Sequence, residues 1–276
     1  MSSSKNKRRQ VRIALLDLYA GQPNEGMRCI RQLLRVYCSH QQLALHLDEF
    51  DVRLETQLPD LSYDIYISSG GPGSPLDSEG SEWEKQYFKW LKEVEKWNKK
   101  KSNQPKKYVL LICHSFEIVC RQYKLGKVCK RKSMSFGVFP THLLTDGKEE
   151  PLFAGLHDPF YAVDSRSYQV IAPNRKKLAK AGASVLAIEK ERPHVPLERS
   201  VMAIRFNSYM IGTQFHPEAD ATGTIKLLQR KKKAVIADHG EDKWKNMIEL
   251  LNDPGKVTAT HDNIIPNFLQ QALNEL

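Results

Sequence analysis

Short apolar segments alternate with helical segments in the first part of the chain, and this order constrains the fold more than any other feature. The apolar segments predict buried strands at 11–18, within 43–54, at 64–67 and at 108–113. Segments with apolar residues at helical spacing lie at 24–40, 82–100 and 114–123. Strands that alternate with helices predict an α/β three-layer domain with a parallel core sheet.

The pattern changes to short strands and turns between residues 128 and 191. The strand segments lie at 134–139, 160–164, 184–189, 201–206 and 209–215, the last two joined by a hairpin turn at Asn207-Ser208. They predict a small antiparallel patch beside the parallel sheet. After Glu218 the chain is predicted to be helical at 221–237, 242–251 and 263–273. These helices carry too few apolar residues for a core of their own, so we expect them to pack on the domain.

The charge balance narrows the classes of partner. The chain of 276 residues carries 42 Lys and Arg against 32 Asp and Glu, a net charge of +10. The excess of Lys and Arg lies in clusters, but no aromatic residues are interleaved with these clusters and no helix-turn-helix pattern accompanies them. We therefore interpret the clusters as solvated helix ends and loops rather than as a nucleic-acid surface. The longest clean apolar run, 108–113, is far short of the ~20 residues that a membrane-spanning helix needs.

The five cysteines indicate a reducing compartment. An odd number without regular spacing argues against a disulfide framework, and the absence of a Cys-x-x-Cys pair argues against a structural zinc site. We therefore expect a cytoplasmic protein without a structural zinc site. One thiol is a candidate nucleophile, and the others are expected to fill the core.

A glycine-rich loop follows the third predicted strand. Its sequence is Gly70-Gly71-Pro72-Gly73-Ser74-Pro75. Glycines allow positive φ and leave backbone N–H groups exposed, so a loop of this kind at the end of a strand can bind an anion or a developing oxyanion. Alone, a Pro-Gly turn is usually only a turn.

Cys113 stands where the strand 108–112 passes directly into a predicted helix. The positive end of that helix is expected to lower the pKa of the thiol and favour the thiolate. The strand-to-helix turn has the geometry of a nucleophile elbow. The alternative interpretation is that Cys113 is a small buried hydrophobe at the end of a strand.

His216 and Glu218 provide a base and a group to orient it. Residues i and i+2 of an extended strand point the same way, so the Glu218 carboxylate is predicted to hold the His216 imidazole. Their position after the last predicted strand, about a hundred residues beyond Cys113, strengthens this interpretation.

Together these segments resemble the class I (triad) glutamine amidotransferases, such as the glutaminase domain of GMP synthase. The resemblance rests on the Gly70–Pro75 loop and on Gln-Phe-His-Pro-Glu at 214–218. It implies a flavodoxin-like three-layer α/β/α sandwich with a mostly parallel sheet over residues 11–235. A flexible basic leader at 1–10 and a helical C-terminal extension at 236–276 complete the predicted organisation.

The resemblance also implies roles for individual residues. Cys113 is the nucleophile, His216 the base and Glu218 its partner, while the backbone N–H groups of Gly71 and His114 form the oxyanion hole. His114 is otherwise expected to be structural or to line the pocket wall. The implied substrate-binding residues are Gly70, Pro72, Glu117, Phe136, Gly137, Ser165 and Arg166.

The elbow departs from the family pattern Gly-x-Cys-x-Gly-x-Gln at three positions. Leu111 and Ser115 replace the glycines, and Glu117 replaces the glutamine that grips the substrate. A carboxylate at 117 is expected to repel the α-carboxylate of glutamine and to favour an amino or guanidinium group. The alternative is a surface pair between Glu117 and Arg121. Arg166 offers a cation to Glu117 or to a substrate carboxylate.

Three functions fit these observations. The first is an amidase that releases ammonia from glutamine, or cleaves a related γ-glutamyl amide, with a separate synthase as the ammonia acceptor. The second is acyl transfer, because the homoserine O-acyltransferases have a similar fold, a Cys-His-Glu triad and an Arg-bearing loop that Ser165-Arg166 resembles. The third is a binding or regulatory module without turnover. The substrate, the acceptor and the oligomeric state are left open.

Overall fold

Helices connect the first strand to the second and the third to the fourth, and each returns the chain to the edge of the sheet where the preceding strand began, so the connected strands run parallel. The computed structural model describes residues 8–100 and 104–276. The strands of this part are β1 (Gln10–Asp17), β2 (Ala44–Asp51), β3 (Ile65–Ser68) and β4 (Tyr108–Ile112). The helices are α1 (Gly26–His40), α2 (Glu82–Lys99) and α3 (His114–Tyr123).

The rest of the chain supplies the remaining strands and a group of helices. The strands are β5 (Lys127–Leu143), β6 (Phe160–Ile171), β7 (Ser184–Glu189), β8 (Val201–Asn207) and β9 (Met210–Thr213). The helices are α4 (Thr145–Lys148), the 3-10 turn Pro151–Phe153, α5 (Arg175–Ala181), α6 (Ala221–His239), α7 (Glu241–Asn252) and α8 (Pro254–Asn274).

The described strands form one mixed sheet in the order β2-β1-β3-β4-β9-β8-β7-β5-β6. Strands β2, β1, β3, β4 and β9 are parallel, and all pairings from β9 to β6 are antiparallel. The α/β class is confirmed, but the antiparallel part is as large as the parallel part rather than a small patch. The reason is the length of β5 and β6, which extend well beyond the predicted segments 134–139 and 160–164.

Helices cover both faces of the sheet. On one face, alternate residues of β1 such as Ile13 and Leu15 pack with α1 and α8. On the other face, Ala14 and Leu16 pack with α2 and α3. This alternation produces two separate apolar cores and places the carboxyl ends of the parallel strands at one common edge.

The C-terminal helices pack on the sheet at two places. Helices α6 and α7 cover Phe136, Val138 and Val163 on the outer strands. Helix α8 packs against β6 and the 3-10 turn, and its buried side chains join the core of β1 and α1. Helix α8 begins at Pro254 instead of the predicted 263.

Two of the predicted domain boundaries do not coincide with the ends of the observed strands and helices. Residues 1–7 of the predicted leader lie outside the described residues, and β1 already begins at Gln10. The predicted boundary at 235 falls inside α6. Within the described part of the chain, no helix combines the length and the apolar character needed to cross a bilayer.

Replacing Phe268 by alanine tests how firmly the C-terminal extension is joined to the domain. Phe268 is 2% exposed and meets Tyr108 of β4 edge-on, with the ring centroids 6.5 Å apart. We expect Phe268→Ala to lower the free energy of unfolding by about 3–5 kcal/mol. Leu54→Ala, at a side chain that is 60% exposed, is the control and should change it by less than about 0.5 kcal/mol in denaturant titrations. A loss below 1 kcal/mol at Phe268 would mean that α8 contributes little to the core.

Candidate active site

Cys113 occupies the turn between β4 and α3 in a conformation that few residues adopt. Its φ is +50° and its ψ is −100°, which costs about 1–3 kcal/mol for a residue with a side chain. The backbone N–H of Cys113 donates to the Thr213 carbonyl of β9 over 2.8 Å, which holds the turn in place. Because α3 begins at the next residue, its first backbone N–H groups lack partners within the helix and are available beside the thiol.

Ser115 stabilises this turn. Its hydroxyl oxygen accepts from the backbone N–H of Ile112 over 2.8 Å and lies 2.8 Å from the Ser68 carbonyl. The side chain is fully buried, so these bonds are shielded from water. Serine at the family's glycine position therefore ties the elbow to the end of β3.

Leu111 is accommodated by a glycine on the neighbouring strand. Leu111 of β4 pairs in register with Gly212 of β9. A Cβ atom at Gly212 would lie 3.1 Å from Cβ of Leu111 and 2.9 Å from Cδ2 of Phe116. The side chain of Leu111 therefore fills the space that a side chain at position 212 would occupy.

His216 and Glu218 lie together, as their spacing predicts. Nδ1 of His216 is 2.8 Å from Oε1 of Glu218, and the Glu218 side chain is 1% exposed. The backbone N–H of His216 donates to the Val163 carbonyl of β6 over 2.9 Å. Burial opposes protonation of the imidazole, but Glu218 and Cys113 outweigh it and raise the pKa of His216 well above its usual value.

The Cys113 thiol differs from its predicted ionisation. Burial raises the pKa of Cys113, although a hydrogen bond and the charge of His216 lower it in part. The prediction of a lowered pKa was wrong because it considered the helix terminus and not the loss of water around a thiol that is only 5% exposed. Formation of the thiolate therefore depends on His216.

The glycine-rich loop closely approaches the His216 side chain and the backbone after β1. A Cβ atom at Gly70 would lie 2.9 Å from Cε1 of His216, and one at Gly71 would lie 2.4 Å from the Leu18 carbonyl oxygen. Neither position tolerates a side chain without movement. The guanidinium of Arg53 donates to the Pro72 carbonyl over 2.6 Å and fixes the loop from outside.

A cavity of about 360 Å³ opens beside the thiol. It collects most of the predicted site residues at the carboxyl edge of the parallel strands. Those that line it are Cys113, His216, Glu218, Gly71, Pro72, His114, Glu117, Ser165 and Arg166. Gly70 borders it through its close approach to His216.

Phe136 and Gly137 do not line this cavity. Phe136 is buried in the cluster under α6 and α7, and a Cβ atom at Gly137 would meet Cε of Met247 at 3.0 Å. Helix α7 covers this part of β5, so the wall of the cavity is formed instead by Met134 and Val163. The role in substrate binding that the resemblance implies for Phe136 and Gly137 therefore stays a prediction.

Glu117 faces the interior. It is 3% exposed and accepts a hydrogen bond from Nε2 of Gln214 over 2.9 Å. Burial raises its pKa to about 7, against the influence of Gln214 and Arg166. The alternative surface pair with Arg121 is not formed, because Arg121 binds Glu84 of α2 instead.

Arg166 belongs to a buried network of charges. Its guanidinium contacts Asp164 at 3.1 Å, Glu189 at 3.3 Å and the Ser200 hydroxyl at 3.1 Å. Burial opposes its charge, but Asp164 and Glu189 outweigh that effect and raise the pKa of Arg166 above its usual value.

Two further arginines, Arg131 and Arg192, also bind Glu189. The direct pair with Glu117 that the sequence suggested is absent among the described ion pairs.

His114 and Tyr19 complete the surroundings of the thiol. His114 is 1% exposed, and burial lowers its pKa to about 3, so its ring is neutral at physiological pH. Burial and the nearby Glu218 raise the pKa of Tyr19 well above its usual value. The sequence analysis missed Tyr19, although it lies two residues after β1, at the same edge as Cys113, where strand ends of a parallel sheet meet.

The described side chains provide no evident metal centre. In residues 8–100 and 104–276, no group of three or more His, Cys, Asp or Glu side chains is arranged to hold an ion. All five cysteines are free. The cavity is lined by the thiols of Cys29 and Cys113, the imidazoles of His114 and His216, and the carboxyl groups of Glu25, Glu117, Glu218 and Asp220.

Comparisons with solved structures place this architecture among known folds. A glutamine amidotransferase from Thermotoga maritima superposes with a TM-score of 0.67 at 15% identity, covering 95% of this chain and 98% of that one. One from Methylobacillus flagellatus gives 0.64 at 12% identity, covering 98% and 96%. The glutaminase domain of Trypanosoma brucei CTPS, solved with bound acivicin, gives 0.57 at 15% identity, covering 96% and 95%.

Sequence comparison defines the relationship. No curated protein matches the chain. Residues 27–234, three quarters of the chain, match the family model for glutamine amidotransferase class-I. The chain belongs to the glutamine amidotransferase class-I family.

Proposed function

We propose that the protein is a thiol amidase that cleaves the side-chain amide of glutamine or of a related γ-glutamyl compound. The observation that carries the proposal is the arrangement of Cys113 at the start of α3, within hydrogen-bonding reach of His216, which Glu218 holds at 2.8 Å. A nucleophile, a base and an orienting carboxylate at one cavity are what covalent catalysis of acyl transfer requires.

The first half-reaction forms a thioester. His216 takes the proton of Cys113, and the sulfur attacks the γ-carbonyl carbon. The negative charge moves to the carbonyl oxygen, where the backbone N–H groups of His114 and Gly71 stabilise it. The C–N bond then breaks while His216 gives its proton to the nitrogen, so ammonia or an amine leaves and a γ-glutamyl thioester remains.

The second half-reaction restores the enzyme. His216, again neutral, takes a proton from a water molecule that attacks the thioester carbonyl. The C–S bond breaks, the carboxylic acid product leaves and the thiol of Cys113 is regenerated. Glu218 stabilises the imidazolium in both halves, and no bound metal or organic cofactor takes part in these steps.

Glu117 bears on the choice of substrate. The positive charge of Arg166 is shared by Asp164 and Glu189, so Glu117 is left with the Gln214 amide as its direct described partner. An ionised Glu117 favours a substrate that presents an ammonium or guanidinium group and disfavours a carboxylate. We therefore include γ-glutamyl amides with a cationic group beside glutamine itself.

The acceptor of the released ammonia and the cellular location of the protein stay predictions. A separate synthase is the acceptor that the family resemblance implies. The prediction of a cytoplasmic protein rests on the number and spacing of the cysteines.

Ammonia release tests the reaction. Purified protein with glutamine should release ammonia, and Cys113→Ala and His216→Ala should each lower the rate by at least about a hundredfold. A glutamine-analogue electrophile should add its mass to the peptide that contains Cys113. Consumption of an acyl-CoA with homoserine would instead support acyl transfer. If neither activity is detected, the result supports a binding module.

The thiols should differ in reactivity according to their contact with His216. We expect Cys113 to be alkylated first at pH 6–8, because the other cysteine of the same cavity, Cys29, has its pKa raised by burial to about 12. Because His216 lowers the pKa of Cys113, His216→Ala should slow alkylation of Cys113 by about tenfold for each unit by which that pKa rises, and leave the rate at Cys129 unchanged. Mass mapping of the labelled peptides measures both rates, with Cys29→Ser as the matched control. Labelling of any other cysteine before Cys113 contradicts the proposed nucleophile.

Replacing Glu117 by glutamine should increase glutamine turnover. Because the pKa of Glu117 is raised to about 7, the wild-type side chain is protonated and neutral below that pH and repels a substrate carboxylate above it. The ratio of Glu117→Gln to wild-type activity should therefore rise with pH through 7, by about tenfold for each 1.4 kcal/mol of repulsion removed. Glu93→Gln, on the exposed face of α2, is the control and should follow the wild-type profile. A ratio that stays constant from pH 5.5 to 8.5 excludes this role of Glu117.

A further inference from the structure

Helix α8 lies beyond the segment that matches the family, yet it is firmly built into the core. The family match ends at residue 234, and α8 spans Pro254–Asn274. Ile264, Ile265 and Phe268 on one side of the helix are each no more than 2% exposed. The side-chain amide of Asn267 donates to the carbonyls of Leu152 and Ala154 over 3.1 and 2.9 Å. The helix therefore has a fixed position relative to the sheet.

Two consecutive residues of α8 reach the segments that carry the triad. The hydroxyl of Thr260 donates to the Tyr161 carbonyl of β6 over 2.5 Å. Nδ1 of His261 lies 3.0 Å from the backbone carbonyl oxygen of Glu218. A carbonyl oxygen only accepts hydrogen bonds, so the proton of the His261 ring must be on Nδ1.

These two bonds hold adjacent pieces of backbone. Tyr161 is two residues before Val163, whose carbonyl accepts the backbone N–H of His216. Glu218 is two residues after His216, and its side chain has one described partner, His216, at Oε1, while Oε2 is buried without a partner among the described residues. The orientation of the carboxylate therefore depends on where the backbone of Glu218 is held.

We propose that His261 is a positioning residue that fixes the backbone of Glu218 and thereby aligns the Glu218–His216 pair with Cys113. The proposal rests on the function proposed above in taking Cys113 as the nucleophile. It assigns to the C-terminal extension a part in the reaction, since α8 supplies a group that acts on the triad without touching the substrate. Misplacement of a catalytic group by about 1 Å can cost about a hundredfold in rate, so a bond that fixes one end of the triad has measurable consequences.

The test compares replacements of His261 that differ in where they offer an N–H group. The amide nitrogen of asparagine occupies nearly the position of Nδ1, whereas that of glutamine corresponds to Nε2 and does not reach the Glu218 carbonyl in the same rotamer. The variants are His261→Asn, His261→Gln and His261→Ala. Asp262→Asn, at the exposed next position of α8, is the control. The readout is the rate of Cys113 alkylation by iodoacetamide as a function of pH in the full-length protein, with the thermal midpoint measured in parallel.

We expect His261→Ala and His261→Gln to slow alkylation of Cys113 by about tenfold near neutral pH and to shift its pH profile to higher pH. His261→Asn and Asp262→Asn should retain the wild-type profile. If the alanine variant is too unstable to compare, the asparagine and glutamine variants decide the question, because they differ little in size. Equal profiles for asparagine and glutamine, or an unchanged profile for alanine, overturn the proposal.

This readout separates the proposal from the proposed function. Alkylation requires only a reactive Cys113 and no turnover. If glutamine and γ-glutamyl amides are not cleaved but the Cys113 profile shifts in the glutamine variant and not in the asparagine variant, the amidase proposal fails and the role of His261 stands. If turnover is found and the profiles coincide, the amidase proposal stands and the role of His261 fails.

Discussion

The backbone turn at Cys113 is the constraint on which the rest of the site depends. A buried strand passes into a helix without an intervening loop, and the residue between them has a positive φ. Strand β9 holds the turn through Thr213, and β3 holds it through Ser115. Both contacts require that β4 lies between β3 and β9, which is the order of the parallel half of the sheet. The strand order therefore also fixes the position of the nucleophile.

Features set by neighbouring residues could be predicted from the sequence. The apolar strand before Cys113 and the i, i+2 spacing of His216 and Glu218 are local patterns, and the structure brings the three residues to one cavity.

Features that depend on distant residues or on water could not be predicted in this way. The run of basic residues at 130–132 gave no indication that β5 extends through it. Glu189, which binds Arg166, comes from another strand and lies 23 positions away in sequence. The pKa of Cys113 was predicted in the wrong direction because burial is a property of the whole fold. The contact of His261 with Glu218 joins residues 43 positions apart, and no local pattern indicates it.

The pairing of Leu111 with Gly212 makes the residue types at these two positions interdependent. The leucine fits because its neighbour on β9 has no side chain, and the glycine leaves no void because its neighbour on β4 is large. Restoring the family's glycine at position 111 alone would leave an empty space in a close-packed layer directly behind the nucleophile. The altered elbow is thus compatible only with its present partner on the adjacent strand, and exchanging elbow sequences between relatives must transfer both positions together.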